Sequence, residues 1–283
     1  YPLQKGGEYY RMAYEKAHEV YESGQFRLFD TYAEMRDPAN ANSGEFIWMI
    51  QREADRAGSP VHNDMLPYPE PSKAISQNGA YGGALAPAQS FYESYPAGDL
   101  RTAEKGYYYT EHEAQDGSGV VELGAPFIYK YWDANAAETG KSGMNYALLR
   151  YADVMLMKAE ALIWTKGEGD AEAKNLLDDI RERAGLPRDS RATKAQLQNE
   201  RRCELAFEFQ PSRHIDVVRW GLAEEYYSKP LHSVVSKMVD GRIETEEVEV
   251  YPGRTFNPTY NKVFPIPQTA FNGTVNLTQN KGY

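Results

Sequence analysis

The stretch that decides the fold runs Leu148-Leu149-Arg150-Tyr151-Ala152-Asp153-Val154-Met155-Leu156-Met157-Lys158-Ala159-Glu160-Ala161-Leu162-Ile163. It breaks at Gly167 and Gly169 and resumes as Asp170-Ala171-Glu172-Ala173-Lys174-Asn175-Leu176-Leu177-Asp178-Asp179-Ile180. Leu148, Ala152, Met155, Ala159 and Leu162 recur at steps of three and four, the spacing that aligns side chains on one helix face. Leu149, Leu156 and Ile163 widen that stripe, so this helix is expected to be buried on more than one side. Asp170 is placed to cap the next helix, whose inward stripe is Ala173, Leu176, Leu177, Ile180 and Ala184. Gly185 followed by Pro187 ends it.

Outward from this pair, Thr193 and Gln196 read as a capping box opening a helix that reaches about Phe209. A short helix follows over 215–226, then a hairpin over 243–251 and a Pro/Asn-rich tail. Toward the start, Tyr9, Met12, Ala13, Ala17, Val20 and Tyr21 predict a helix over 8–22 that stops at Ser23-Gly24. A second helix is expected from Gln25 to just before Asp37-Pro38, and a short strand over 45–50. The pairs 8–36 and 146–184 are similar to tetratricopeptide units, which need neighbours to cover their faces. The fold class is therefore mainly α: a tetratricopeptide-like helical scaffold with a long irregular loop-rich insert and a few short strands. The segments are 1–55 (helix pair and strand), 56–144 (loop-rich, aromatic-rich) and 145–283 (helical region and tail), all within one domain. The open faces of two separated pairs lead us to expect further helices ahead of this chain.

The insert is rich in Gly and Pro and has no sustained period; such long connections are more often functional than idle. It also holds much of the chain's unusual tyrosine content, 22 Tyr against 10 Phe and 4 Trp. The net charge of −10 disfavours a polyanionic partner such as nucleic acid. One cysteine, Cys203, excludes an intramolecular disulfide framework and a Cys-based zinc site. No apolar run is long enough to span a membrane.

Three motifs invite catalytic readings. Asn135 to Ser142 is close to a phosphate-binding loop, but Asn135 stands where Gly is required and Glu138 is acidic. His112 to Asp116 is close to a zinc-binding pair, but Gly117-Ser118-Gly119 follows, so the helix that would align both ligands is not expected. Glu204 and Glu208 share a helix face and could be a general acid and base. The neighbouring Arg201, Arg202, Arg213 and Arg219 favour a structural ion-pair network instead. No catalytic residue, metal ligand or cofactor is assigned.

Four blocks carry a family resemblance: Asn145 to Val154 continuing to Ala161; Ile180 to Leu186; Glu200 to Glu208 with Arg213, Asp216, Arg219, Trp220 and Gly221; and Phe264-Pro265-Ile266-Pro267 with Asn276, Gln279, Asn280, Gly282 and Tyr283. Together they are similar to the SusD/RagB family, surface glycan-binding lipoproteins of Bacteroidetes that serve polysaccharide utilisation. Gln210-Pro211-Ser212 departs from the family's Gly-containing turn. The resemblance implies a non-enzymatic protein at the outer membrane. A lipid on a preceding Cys would anchor it to the cell surface. It would capture glycan and deliver it to a SusC-like TonB-dependent transporter. It also implies that this chain is the C-terminal portion of a longer protein.

Pyranose rings present apolar C–H faces that lie on aromatic rings, and their hydroxyls need fixed donors and acceptors. From the loop-rich segment, Tyr68, Tyr81, Tyr92, Tyr95 and Trp132 are the expected platforms, with Asn78, Gln89, Asp99 and Arg101 as hydroxyl partners. A helical-repeat scaffold that binds only protein is the alternative. A glycoside hydrolase using Glu204 and Glu208 is the third reading.

Overall fold

The computed structural model describes residues 6–67, 71–77, 79, 83, 85–208, 212–273 and 276–283. They divide into two units: 6–208 with 232–248, and 212–231 with 249–283.

In the larger unit, α1 (Gly7–Glu22) ends where the Ser23 amide donates to Glu19 and Gly24 adopts φ 64°, the left-handed exit that suits glycine. The helix expected over 25–36 does not form. The Arg27 amide donates to Gly44 O (3.2 Å) and the Phe29 amide to the Glu45 carboxylate (3.1 Å), so the helical i→i−4 bonds are replaced. Phe26 and Leu28 pack into one core cluster and Phe29 into another, the alternation of an extended chain. Two 3-10 turns, Tyr32–Arg36 and Pro38–Asn40, complete the segment.

Strand β1 (Phe46–Ile50) follows, then the short helices α2 (Val61–Asp64), α3 (Ser72–Ile75) and α4 (Gln89–Tyr92). Strands β2 (Tyr108–Glu113) and β3 (Val120–Ile128) form an antiparallel pair whose turn uses Gly117 and Gly119 at positive φ. His112 therefore lies on a strand. After α5 (Ala134–Thr139), β4 (Tyr146–Arg150) pairs antiparallel with β1, so the principal helix begins at Tyr151 and Leu148 and Leu149 lie on the strand before it.

That helix, α6 (Tyr151–Lys166), packs against α1, α7 (Ala171–Arg183) and α8 (Lys194–Glu204). Leu156, Ala159, Leu162 and Ile163 meet Ala173, Leu176, Leu177, Ile180 and Leu197 in the main core, as the periodicity predicts. Asp170 caps α7 by accepting from the Glu172 and Ala173 amides. Thr193 accepts from the Gln196 amide, but the Gln196 side chain accepts from Arg191, so only half of the capping box exists. Helix α8 stops at Glu204, and Phe207 turns the chain with φ 64°. No described helix is long and apolar enough to cross a membrane.

In the smaller unit, Gly221 (φ 76°) splits the helix expected over 215–226 into α9 (Ser212–Arg219) and α10 (Ala223–Ser228). Val217, Val218 and Ala223 bury against Phe256. In the tail, the Gln279 amide group bonds both backbone groups of Ile266. Strands β5 (Leu231–Val239) and β6 (Arg242–Tyr251), most of whose residues belong to the larger unit, form a two-stranded sheet through Asp240-Gly241, both at positive φ.

Candidate functional site

Beside β1 lies a cavity of about 460 Å³. Its walls come from the first 3-10 turns (Met35, Arg36, Asp37), from β1 and the residues after it (Phe46, Met49, Gln51, Arg52), and from the segments flanking α5 (Asp133, Asn135, Met144, Asn145). Each wall is pinned locally. Asp37 caps the Pro38–Asn40 turn, and Asp133 caps α5. The Asp133 amide donates to His62 Nδ1 at 3.1 Å. Three side-chain amides form a chain: Asn145 donates to Gln51 (3.0 Å), and Gln51 and Asn42 exchange bonds of 2.7 and 3.0 Å. The cavity thus combines apolar floor (Phe46, Met49, Met144) with oriented amides, the mixture that suits a hydroxyl-rich ring.

Two guanidinium groups join this lining. Arg36 donates to the carbonyls of Tyr32, Lys105 and Gly106 and lies over the Tyr129 ring, 4.6 Å from its centroid. Burial lowers its pKa, with Tyr129 and Tyr107 partly offsetting. The Arg52 backbone amide donates to Asn145 Oδ1 at 2.7 Å, while the Arg52 side-chain Nε is enclosed with no acceptor among the described residues.

Behind the Asp133 wall, Trp132 stacks on Tyr129 (5.6 Å, 12° between planes) and meets His112 at 4.2 Å and His62 at 4.9 Å. Trp132 is only 8% exposed, so the expectation that it is a sugar platform is corrected: its faces are occupied by protein rings. On β1, Trp48 is 64% exposed. It does not line the cavity; its strand does.

The other expected contacts separate. Tyr95 is buried and donates to Cys203 O. Asp99 and Arg101 are buried together: Arg101 bonds both Asp99 oxygens, Glu200 at 2.6 Å and Glu204 at 3.3 Å. Desolvated and fully paired, neither can meet a sugar hydroxyl. These three expectations are corrected likewise. Gln89 and Tyr92 share α4; Tyr92 is half-buried, edge-on to Tyr108 at 4.9 Å, and Gln89 donates to Glu93. Tyr68, Asn78 and Tyr81 lie outside the described residues.

The acidic pair considered for acid–base chemistry is buried in the same charge network. Burial alone would raise Glu204, but Arg183, Arg150 and Arg101 outweigh it and hold the carboxyl well below the usual range. Glu208 is likewise lowered against its burial by Arg150 and Lys130. Burial pulls Lys130 down to about 8 despite Glu208. Carboxylates held this firmly ionised are unsuited to proton donation near neutrality.

Residues 101–283, which carry most of this network and helices α6 to α8, match the model of the SusD family. The chain belongs to the SusD family. A SusD-like protein P2 from Formosa agariphila is 29% identical over 54% of this chain and 34% of its own length. The crystal structure of a SusD superfamily protein from Parabacteroides distasonis superposes with a TM-score of 0.78 at 29% identity, over 100% of this chain and 59% of that one. Surface glycan-binding protein A from Bacteroides thetaiotaomicron, in complex with laminarihexaose, shares the fold: TM-score 0.70, 20% identity, 98% of this chain and 61% of that one. The chain therefore spans less than two thirds of the length of each of these proteins. Their helical architecture agrees with the mainly α class read from the sequence.

Proposed function

We propose that this chain is part of a non-catalytic protein that binds glycan at the cell surface. The observation that carries the reading is the cavity beside β1, where an amide chain, two guanidinium groups and an apolar floor converge. Trp48, exposed on the same strand, is a further surface for a pyranose face. Tyr92 and Gln89 remain candidates from the loop-rich segment, as do Tyr68, Asn78 and Tyr81. The binding of laminarihexaose by one relative of the same fold supports the ligand class. Membership of the SusD family supports a lipid anchor in the outer membrane and delivery to a SusC-like TonB-dependent transporter; co-purification of such a transporter from the native membrane tests that partner. Calorimetry against a panel of neutral and acidic glycans, at protein concentrations that reveal weak binding, tests the ligand. Heat with at least one glycan and no release of reducing sugar is expected. Silence with every glycan, or sustained sugar release, overturns the reading.

A further inference from the structure

We infer that the cavity beside β1 is built for an acidic glycan, with Arg52 as the counter-ion of a sugar-borne oxyanion such as a hexuronate carboxylate. This rests on the glycan-binding reading and narrows its substrate class.

The charged side chains of the lining divide by how they are satisfied. Both carboxylates serve the chain itself. Asp37 Oδ1 accepts from the Ala39 amide at 2.9 Å. Asp133 Oδ1 accepts from the Ala136 amide at 3.2 Å, and its Oδ2 from the Ser142 hydroxyl at 2.7 Å. Each sits at the start of a helical turn, where exposed amide dipoles offset negative charge. The two guanidinium groups have no such counterpart. Arg36 is held by neutral carbonyls and an aromatic face, so its orientation is fixed while its charge is not neutralised. Arg52 is poorer still: its Nε is enclosed without an acceptor, and no described carboxylate pairs with it. A chain with net charge −10 has ample carboxylate to pair these groups. A half-buried guanidinium without a counter-ion is poorly satisfied, and a planar carboxylate can meet its terminal nitrogens through two parallel charge-assisted bonds. Two lining guanidinium groups without a described carboxylate partner therefore point to an anion brought by the ligand. The Asn145 and Gln51 amides, both in the lining, would take neighbouring hydroxyls of the same sugar. A sulfate ester presents similar oxygens, so the shared chemistry is a glycan oxyanion.

The test is calorimetry of the chain with hexuronate oligomers (galacturonate, mannuronate and glucuronate), the same oligomers after carboxyl reduction, a sulfated galactan oligomer, and laminarihexaose. At least one hexuronate oligomer is expected to bind about tenfold more tightly than its reduced form, the loss of one charge-assisted contact. That advantage is expected to shrink as salt rises from about 50 to about 500 mM, because the pair opens to solvent. Arg52→Gln is expected to abolish the advantage, and Arg52→Lys, which keeps the charge, to retain part of it. Preference for the sulfated oligomer, lost in Arg52→Gln, upholds the inference and assigns the oxyanion to sulfate. Equal affinity for acidic and neutral forms, or an acidic preference that survives Arg52→Gln, overturns the inference and leaves glycan binding standing. Absence of binding to all of them, in protein with native circular dichroism, overturns both.

Discussion

Arg150 Nη1 lies 2.7 Å from Glu204 Oε1, joining the strand before the main helix to the last turn of α8. Arg183 reaches the same oxygen, Arg101 reaches the other, and Arg150 also bonds Glu45 and Glu208. Glu204 is thus the anion on which three buried guanidinium groups converge. Replacing it with Gln keeps its shape and leaves those cations short of charge. Glu204→Gln is expected to destabilise the protein by about 3–5 kcal/mol, the usual cost of breaking a buried pair from one side. Urea unfolding checks this: the midpoint falls while the slope is unchanged. A loss below about 1 kcal/mol, the range of an exposed pair, would contradict the network's structural role.

His62 predicts a pH dependence. Burial lowers its pKa from 6.5 to about 4, against the opposing pull of Asp133. Its Nδ1 accepts from the Asp133 amide, and its Nε2 faces Ser76 Oγ at 3.2 Å, an arrangement that requires the neutral ring. Between these pKa values the unfolded chain takes a proton that the native state refuses. Stability from this group is therefore complete above pH 6.5 and declines as pH falls toward about 4. From pH 7 to 5 the wild type should lose roughly 1–2 kcal/mol more than His62→Gln. Urea midpoints of both proteins at the two pH values measure this, and parallel losses would refute it.

The helical core is legible because burial at helical spacing is a local property: Ala159, Leu176 and Ile180 announce their faces within one turn of sequence. The extended 25–31 segment is not, because its backbone bonds go to Gly44 and Glu45, partners beyond any local window. Asp99 and Arg101 fail as site residues for the same reason. Their loop offers no period, and their partner Glu200 lies 99 residues from Arg101. The signal that could have found them is the spacing of Glu200 and Glu204, a like-charged pair four residues apart on one face of α8 that calls for a cation from elsewhere in the chain. The tyrosines of the loop-rich segment are not all at its surface. Tyr107, Tyr108 and Tyr109 come from the loop-rich segment yet are almost wholly buried, filling core where aliphatic residues are scarce. Trp48 is missed because an apolar strand reads as core. Register shifts on either side of it break the alternation with β4 and leave the ring outside.

That exposed ring gives the last prediction. An indole standing in water at 64% exposure contributes little to folding, so Trp48→Ala should change stability by no more than about 0.5 kcal/mol. If the face of β1 receives a sugar ring, the same change removes a stacking surface and should weaken glycan affinity by roughly five- to tenfold. Trp48→Phe keeps an aromatic face and should recover most of that loss. Calorimetry with the tightest glycan of the panel, beside circular dichroism of each variant, separates the two effects. Unchanged affinity in Trp48→Ala with intact glycan binding would place the sugar away from this ring and confine it to the cavity. A large stability loss would instead identify Trp48 as a packing residue.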